Sequence, residues 1–418
     1  MSCAGVSRSC ARASRRCSPG RTVERMPRAD GFDADVAVIG LGAVGSSAAW
    51  RLAARGLDVI GFEQFEPGHP WGGSTGQTRL FRVACLEHPG LTPIARRARD
   101  LWRELEASAR VPLFLETGGI MIGPPDSHLI TGTLAAAAAH HLPVERLNAE
   151  GIARRSPANA RIDAGDVGVW DPEAGILRPE AAIVAAVDAA RAAGARIRTG
   201  VRVVAIEPDD EGVTVTVDDP DAAGLRVRQV AVTAGPWIGR FVPDMPLTPH
   251  RVVMTWFRAR AGHRADLGVL PVFIRSVPGH DTWIWGHGAS DASGSSEFAS
   301  FDAKVGPEFD GPFASDDPDA IDRVVHPGET DEIAALVAAT FPDLEPEPSG
   351  ATTCIMMHTP DGQFVVGPTA HPRVFVGGGC SGHSFKHASA LGELVAQAVA
   401  GEEPFTEAGF LDPRRFAG

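Results

Sequence analysis

The sequence of 418 residues contains no tyrosine, few cysteines and no apolar run long enough to cross a lipid bilayer. Half of the six cysteines lie near the N-terminus and the others are scattered: Cys3, Cys10, Cys17, Cys85, Cys354 and Cys380. This distribution fits neither a disulfide framework nor the ligand spacing of a zinc site. We therefore expect a protein of the reducing cytoplasm that has no membrane as a partner.

Basic residues are fewer than acidic ones, and the net charge at pH 7 is −13. An acidic protein is poorly suited to bind nucleic acid, so we expect a small molecule as the partner. The positive charge comes from 37 arginines and only two lysines, Lys304 and Lys386. In such a chain a lysine is either a chance survivor on the surface or a residue whose compact ammonium and adjustable pKa are needed.

Residues 1–33 differ from the rest of the chain, because they are rich in arginine, serine and cysteine and poor in acidic residues. They lack the apolar segment of a secretory signal, although an organelle-targeting leader stays an alternative. The simpler interpretation is that translation starts at Met26, and that the preceding residues are disordered or wrongly assigned to the protein.

The most informative stretch begins at residues 36–39, a short apolar run typical of a parallel strand that is buried on both faces. Gly40, Gly42 and Gly45 follow in the G-x-G-x-x-G spacing. The first glycine allows a tight turn, the second lets the backbone approach a pyrophosphate, and the third lets a helix pack closely. A second strand then ends at Glu63, whose carboxylate can accept hydrogen bonds from an adenosine ribose. The stretch predicts a dinucleotide site but does not distinguish FAD from NAD.

Two later features favour a flavoprotein. A third strand, residues 227–233, ends in a turn of small residues at Gly235 and Trp237, so the dinucleotide domain is resumed in mid-chain. Near the C-terminus, residues 375–379 form another buried strand that runs into glycines and a helix. The N–H groups at the start of that helix would face a developing negative charge, such as the N1–C2=O edge of a reduced flavin.

Three further motifs are Gly76-x-Thr78-Arg79-x-x-Arg82, Thr353-Cys354-x-x-x-x-Thr359-Pro360-Asp361 and Gly379-x-Ser381-Gly382-His383-x-Phe385-Lys386. Together they resemble the monomeric sarcosine oxidase and N-methyltryptophan oxidase family, FAD-dependent amine oxidases of the D-amino-acid-oxidase-like superfamily. The resemblance extends from about Asp35 to Phe410. It implies that FAD is the cofactor.

The resemblance also implies roles for individual residues. Cys354, which alone would be interpreted as a buried core thiol, would carry FAD as a thioether on a methyl group of the flavin ring. Arg82 and Lys386 would bind the carboxylate of the substrate, with Thr78 and Arg79 beside the flavin. The residues expected to contact the cofactor are Gly40, Gly42, Gly45, Glu63, Val203, Gly235, Trp237, Cys354, Gly382, His383 and Lys386.

Lys304 lies in a Lys-x-Gly motif that is similar to the family's in kind and in its spacing from Cys354. The resemblance therefore implies that Lys304 promotes the reaction of reduced flavin with oxygen. A fixed ammonium in a dry pocket would stabilise superoxide as it forms. Both lysines of the chain thus fall on functional positions of the family.

Departures from the family pattern bear on the substrate. Because the chain has no tyrosine, Trp285 and Met356 are expected to replace pocket tyrosines. Glu308 stands where the family has a histidine, and an acid there is similar to the cyclic imino acid oxidases of nikkomycin-type biosynthesis. The alternative is that Glu308 lies in a proline-rich loop that faces solvent. Because these pocket residues differ from the family pattern, sarcosine itself is not the expected substrate.

We predict an α/β protein with a Rossmann-type FAD-binding domain and a discontinuous α+β substrate domain built on a mixed sheet. The FAD-binding domain would comprise residues 34–82, 150–240 and 346–418, and the substrate domain residues 83–149 and 241–345. A hairpin is predicted with its turn at Asp361-Gly362.

The predicted function is oxidation of a secondary-amine amino acid by a monomeric FAD enzyme that passes its electrons to O2 and forms H2O2. One alternative is a dehydrogenase that passes electrons to a quinone or to another protein. A further alternative, a non-catalytic dinucleotide-binding protein, would have no use for a carboxylate clamp over the flavin.

Overall fold

The computed structural model describes residues 31–219, 224–290, 302–307 and 317–416. The helices in these ranges are α1 (Ala43–Ala54), α2 (Leu91–Ala109), α3 (His128–His140), α4 (Ala149–Arg155), α5 (Pro179–Ala192), α6 (Asp331–Thr340) and α7 (Ala388–Ala400). The strands there are β1 (Ala34–Ile39), β2 (Val59–Glu63), β3 (Arg79–Phe81), β4 (Phe114–Glu116), β5 (Gly119–Gly123), β6 (Glu145–Leu147), β7 (Val167–Asp171), β8 (Gly175–Leu177), β9 (Arg196–Thr199), β10 (Val203–Pro208), β11 (Val213–Val217), β12 (Leu225–Val232), β13 (Thr248–Phe257), β14 (Val272–Ser276), β15 (Trp283–His287), β16 (Ala303–Pro307), β17 (Gly350–His358), β18 (Val365–Pro368) and β19 (Val374–Gly378). Each helix described here is too short or too polar to cross a membrane.

The first sheet has a parallel centre in the order β9-β2-β1-β12-β19, to which β10, β11 and β18 add antiparallel pairings. Strands β1 and β2 at this centre are apolar and buried, as expected where both faces of a parallel sheet are covered. Strands β1, β2, β12 and β19 therefore end at the same edge of the sheet. In an open α/β sheet this carboxyl edge is where ligands bind.

Helices α1, α5 and α7 pack together against one face of the first sheet, and α2 packs on α5 and α7. Small residues let α1 and α7 cross closely, since a Cβ built on Gly392 would lie 2.5 Å from the Cβ of Ser47. Helix α1 ends at Ala54, and Gly56 after it has φ +82°, the left-handed conformation that a glycine adopts readily at the end of a helix. This packing fixes the N-terminus of α1 at the carboxyl edge of the sheet.

The second sheet is mixed and has the order β17-β13-β16-β15-β14-β5-β7-β6. All of its pairings are antiparallel except that between β14 and β5. Helix α6 contributes to the core on one side of it, where Phe273 on β14 packs against Phe341. A small third sheet, β3-β8-β4, positions the segment that contains Arg79 and Arg82. The two large sheets confirm the predicted fold class.

The hairpin predicted at Asp361-Gly362 is wrong. A turn is present, with Gly362 at φ +70°, but the strands on its two sides belong to different sheets. Strand β17 pairs with β13 in the second sheet, whereas β18 pairs with β19 in the first. The turn therefore carries the chain from one sheet to the other, next to the candidate site.

Candidate active site

A cavity of about 890 Å³ lies at the carboxyl edge of the first sheet and extends to the second sheet. Its wall includes the turns that follow β1, β2, β12 and β19. Of the residues predicted to bind cofactor or substrate, it is lined by Gly40, Gly42, Glu63, Arg79, Arg82, Val203, Gly235, Trp237, Trp285, Cys354, Met356, Gly382, His383 and Lys386. The fold thus brings distant parts of the chain to one site.

The glycine-rich turn has the geometry that its spacing predicts. A Cβ on Gly45 would lie 1.9 Å from the carbonyl oxygen of Gly40, so only glycine lets α1 start this close to β1. Gly40 has φ +86°, and a Cβ there would lie 2.6 Å from the Cα of Ala234. A Cβ on Gly42 would meet no atom within 4 Å, and Gly42 lines the cavity at the N-terminus of α1. The turn therefore leaves space for an anionic group at a helix N-terminus.

Glu63 is buried at the end of β2, with 4% of its surface exposed. One of its carboxylate oxygens accepts a hydrogen bond from the backbone N–H of Leu41 at 2.9 Å, and the other accepts one from Phe65 at 3.1 Å. These bonds fix the carboxylate against the glycine-rich turn. Each oxygen can accept a second hydrogen bond, so the side chain can still bind a ribose hydroxyl.

The turn after β12 lies next to the glycine-rich turn, because β12 pairs with β1. The side chain of Thr233 donates to the carbonyl oxygen of Gly40 at 2.8 Å and so ties the two strand ends together. Gly235 has φ +53°, which suits glycine at a tight turn. The indole of Trp237 donates to Asp319 at 2.6 Å, a contact that the sequence did not indicate.

Cys354 lies on β17 and lines the cavity, with 3% of its surface exposed. Its sulfur is 3.6 Å from Nη2 of Arg79. Arg79 is held in place because Nη1 donates to the carbonyl of Thr78 at 2.9 Å and Nη2 donates to that of Gly73 at 3.1 Å. A fixed guanidinium thus lies beside the thiol that was predicted to carry the flavin.

Lys304 on β16 is almost fully buried, with 1% of its surface exposed. Its ammonium donates to the carbonyl oxygens of Gly76 at 2.9 Å and Thr78 at 3.1 Å, and lies 5.2 Å from the ring centre of Trp256. Burial, and then the positive charge of Arg79, hold the pKa of Lys304 well below its ordinary value. Arg79 lines the cavity, whereas Thr78 and Lys304 are not among the described residues of its wall.

His287 is a buried neighbour of this lysine that sequence reasoning missed. It lies opposite Lys304 in the pairing of β15 with β16. Its Nδ1 is 2.6 Å from the carbonyl oxygen of Gly288, and its Nε2 is 2.8 Å from the hydroxyl of Thr78. Burial lowers the pKa of His287 to about 4, so the ring is neutral and Nε2 accepts the hydrogen bond from Thr78. No local sequence pattern indicates this non-local pair.

Arg82 and Lys386 come together at the cavity, as the resemblance implies, but a carboxylate lies between them. Nη2 of Arg82 donates to Oε1 of Glu87, and the ammonium of Lys386 donates to the same oxygen at 3.3 Å. Burial alone would raise the pKa of Glu87, but the charges of Arg82 and Lys386 hold it well below its usual range. Glu87 was not singled out in the sequence, because nothing in the loop before α2 distinguishes it.

The loop before α7, which carries Gly382 and His383, also lines the cavity. His383 is 3.1 Å from the carbonyl oxygen of Gly362 through Nε2, and Gly382 has φ +80°. Burial lowers the pKa of His383 to about 4, so its ring is neutral and orders the loop. Trp285, on the cavity wall, donates its indole N–H to Pro307 at 2.9 Å. Glu308, the next residue, lies outside the described residues.

The family described as FAD dependent oxidoreductase (DAO) matches residues 35–398 of this chain. The curated monomeric sarcosine oxidase of Streptomyces avermitilis is 35% identical over 395 residues, which cover 92% of this chain and 98% of that protein. The N-methyl-L-tryptophan oxidase of Citrobacter koseri is 30% identical over 381 residues, which cover 88% and 95% of the two chains.

Solved structures show the same fold at lower identity. NikD, an unusual amino acid oxidase essential for nikkomycin biosynthesis, gives a TM-score of 0.77 at 24% identity and covers 91% of this chain and 97% of its own. The L-proline dehydrogenase of P. horikoshii gives a TM-score of 0.76 at 19% identity and covers 92% of this chain and 98% of its own.

Proposed function

Because the chain belongs to the family of FAD-dependent oxidoreductases, and is a sarcosine-oxidase-like amine oxidoreductase, we propose that it oxidises secondary-amine amino acids with O2 as the electron acceptor. The products would be an imine, which hydrolyses or rearranges, and H2O2. The observation that carries this proposal is one cavity that joins a dinucleotide-binding turn to two cations, Arg82 and Lys386.

The residues of the cavity fit FAD. Gly42 leaves room for a pyrophosphate at the N-terminus of α1, and the buried carboxylate of Glu63 can accept a ribose hydroxyl. Cys354 on β17 and Arg79 lie together on the cavity wall, where the flavin ring would be attached and held. When bound, FAD supplies the redox chemistry, because it accepts a hydride equivalent from the amine and passes two electrons to oxygen.

The chain itself would bind and orient the substrate. Guanidinium and ammonium groups bind carboxylates strongly, and an arginine can do so through two hydrogen bonds. Anchoring the carboxylate of an amino acid at Arg82 and Lys386 would leave its amine inside the same cavity, whose lining includes Met254, Ile274 and Trp285. This apolar lining favours an uncharged secondary amine over a charged one.

Lys304 would act on the second half of the reaction. Its ammonium is fixed by two carbonyl groups and has no carboxylate among these hydrogen-bond partners. In a water-poor setting, such a charge stabilises negative charge that develops nearby as oxygen is reduced. We assign Lys304 this electrostatic role, with Thr78 and Arg79 positioning the segment between it and the cavity.

The reaction is tested by incubating the purified yellow protein with sarcosine, N-methyl-L-tryptophan, L-proline and L-pipecolate. We expect at least one of them to bleach the flavin without air and, with air, to yield one H2O2 for each amine oxidised. Bleaching without peroxide would instead indicate a dehydrogenase with another acceptor. No bleaching by any secondary-amine amino acid would contradict the proposed substrate class.

The thioether at Cys354 is tested by acid precipitation. We expect the flavin absorbance to stay with the pellet of the wild-type protein and to appear in the supernatant of Cys354→Ala. Cys85→Ala is the matched control, because this buried thiol does not line the cavity. Flavin released from the wild-type protein would contradict the proposed thioether and indicate that FAD is bound non-covalently.

A further inference from the structure

Three side chains form a charged cluster at the substrate end of the cavity: Arg82, Glu87 and Lys386. Both cations are nearly inaccessible, with 7% and 5% of their side-chain surfaces exposed, and the glutamate is 17% exposed. Oε1 of Glu87 accepts a hydrogen bond from each cation. This oxygen therefore lies where the proposed function puts a substrate carboxylate.

Each of the two cations already makes hydrogen bonds within the protein. Nη1 of Arg82 donates to the carbonyl oxygen of Ala84 at 2.8 Å, while Nη2 donates to Glu87. Lys386 donates to the carbonyl oxygen of His383 at 3.1 Å as well as to Glu87. Nη1 and Nη2 of Arg82 thus each have an acceptor already, so a second carboxylate competes with Glu87 for a bidentate contact with Arg82.

The second carboxylate oxygen of Glu87, Oε2, is buried and has no hydrogen-bond partner in the described part of the chain. The backbone carbonyl of Glu87 accepts a bond from Gln363 at 3.3 Å, so the residue is tied at its backbone while its side chain holds the cations. A half-satisfied buried carboxylate is costly. It is a poorer occupant of the cluster than a ligand carboxylate that satisfies both oxygens.

Charge limits how many carboxylates the ligand can carry, because Glu87 is tied at its backbone and stays near the two cations when its side chain releases them. Two cations and one anion leave a net charge of +1, which one further carboxylate neutralises. A ligand with two carboxylates at this end would face the repulsion of Glu87. The cluster therefore favours a ligand with one carboxylate.

We propose that Glu87 is a specificity-determining residue: it occupies the Arg82–Lys386 pair in the free enzyme, and a ligand with a single carboxylate must displace it to bind. This inference rests on the proposed function and adds that Glu87 competes with the carboxylate of the ligand for Arg82 and Lys386. Since only the fraction of enzyme with Glu87 displaced binds ligand, the apparent affinity for carboxylates is lowered by that fraction.

The test uses the FAD-loaded protein and acetate, a carboxylate that cannot be oxidised, with acetamide as the uncharged probe. Binding is followed by the change in flavin absorbance. We expect Glu87→Gln to tighten acetate binding at least tenfold and to leave acetamide unchanged. Glu173→Gln is the matched control, because Glu173 also pairs with an arginine, Arg99, but lies outside the cavity wall. It is expected to leave both probes unchanged.

Unchanged or weaker acetate binding in Glu87→Gln would overturn the proposal, because it would show that Glu87 only maintains the two cations. If that variant does not hold FAD, Glu87→Asp serves instead, since its shorter side chain withdraws the carboxylate. Tighter acetate binding in Glu87→Asp supports the proposal, and wild-type affinity contradicts it.

A kinetic readout separates this proposal from the proposed function. In Glu87→Gln, the KM of an oxidised amino acid is expected to fall, while the limiting rate of flavin reduction stays the same. If the protein oxidises an amino acid and forms peroxide, but acetate affinity is the same in Glu87→Gln, the proposed function is supported and the role of Glu87 as a competitor is contradicted. If no amino acid is oxidised, but acetate binds more tightly to Glu87→Gln, the role of Glu87 is supported and the proposed function is contradicted.

Discussion

The two lysines of the chain occupy contrasting environments. Both are buried, with 1% of Lys304 and 4% of Lys386 exposed. Lys386 makes an ion pair with Glu87, whereas the hydrogen bonds of Lys304 go to neutral carbonyl oxygens of Gly76 and Thr78. Within the described part of the chain, Lys386 thus has an anion as a hydrogen-bond partner, whereas the hydrogen-bond partners of Lys304 are neutral.

This difference indicates which event each lysine serves. A buried charge that lacks a counter-ion costs free energy in the resting protein, and a negative charge that forms beside it recovers that cost. A buried charge with a counter-ion is already compensated, so it binds an anion only by exchange. We therefore assign Lys304 to charge that develops during the reaction, and Lys386 to charge that arrives with the substrate.

The largest effect should come from Lys304→Met. Removing a preorganised charge that acts in the transition state costs about 10²- to 10³-fold in rate, so we expect reoxidation by O2 to slow by that factor. Anaerobic reduction by the amino acid should change little, and stopped-flow absorbance of the flavin measures both steps. Equal losses in the two half-reactions would remove the contrast between the lysines.

The pH dependence of reoxidation sharpens this prediction. The ammonium of Lys304 is charged below its pKa, which burial and Arg79 hold well below the ordinary value of 10.5. Reoxidation should therefore be fast at low pH and fall as the pH rises through this lowered pKa. The fall should be absent in Lys304→Met, and a fall of the same midpoint in that variant would assign it to another group.

A smaller effect, on the other half-reaction, is expected from Lys386→Met. Loss of one charge-assisted hydrogen bond costs about 1.5–3 kcal/mol, or roughly 10- to 100-fold in affinity. We expect the dissociation constant for the amino acid to rise by that factor while reoxidation is unchanged. Titration of flavin absorbance with acetate measures the same loss without turnover. A slower reoxidation would show that Lys386 also acts on the oxygen step.

The fold could be predicted where the signal is local. The spacing of Gly40, Gly42 and Gly45 predicts a turn between a strand and the helix after it, and the structure shows the close contact of Gly45 with Gly40 inside that turn. The hairpin at Asp361-Gly362 failed because a turn motif specifies the turn and not the partner of each strand. Strand β17 gains its partner from β13, about one hundred residues earlier in the chain.

The site was predicted in part for the same reason. Motifs identified Arg82, Lys386 and Cys354, which the fold brings to one cavity. They did not identify Glu87 or His287, because a buried acid or histidine has no sequence pattern of its own. Their importance arises from contacts with Arg82 and Thr78 that exist only after folding.

The smallest effect is expected from Trp256→Leu, which alters the environment of Lys304 without removing its charge. The indole ring lies 5.2 Å from the ammonium, and cation–π contacts contribute roughly 0.5–2 kcal/mol. Its loss should lower the pKa of Lys304 further, because the ring favours the charged form. The midpoint of the reoxidation profile should therefore shift toward lower pH. Trp283→Leu, on β15 of the same sheet, is the control that should leave the midpoint in place. An unshifted midpoint in Trp256→Leu would mean that the indole ring does not affect the charge state of Lys304.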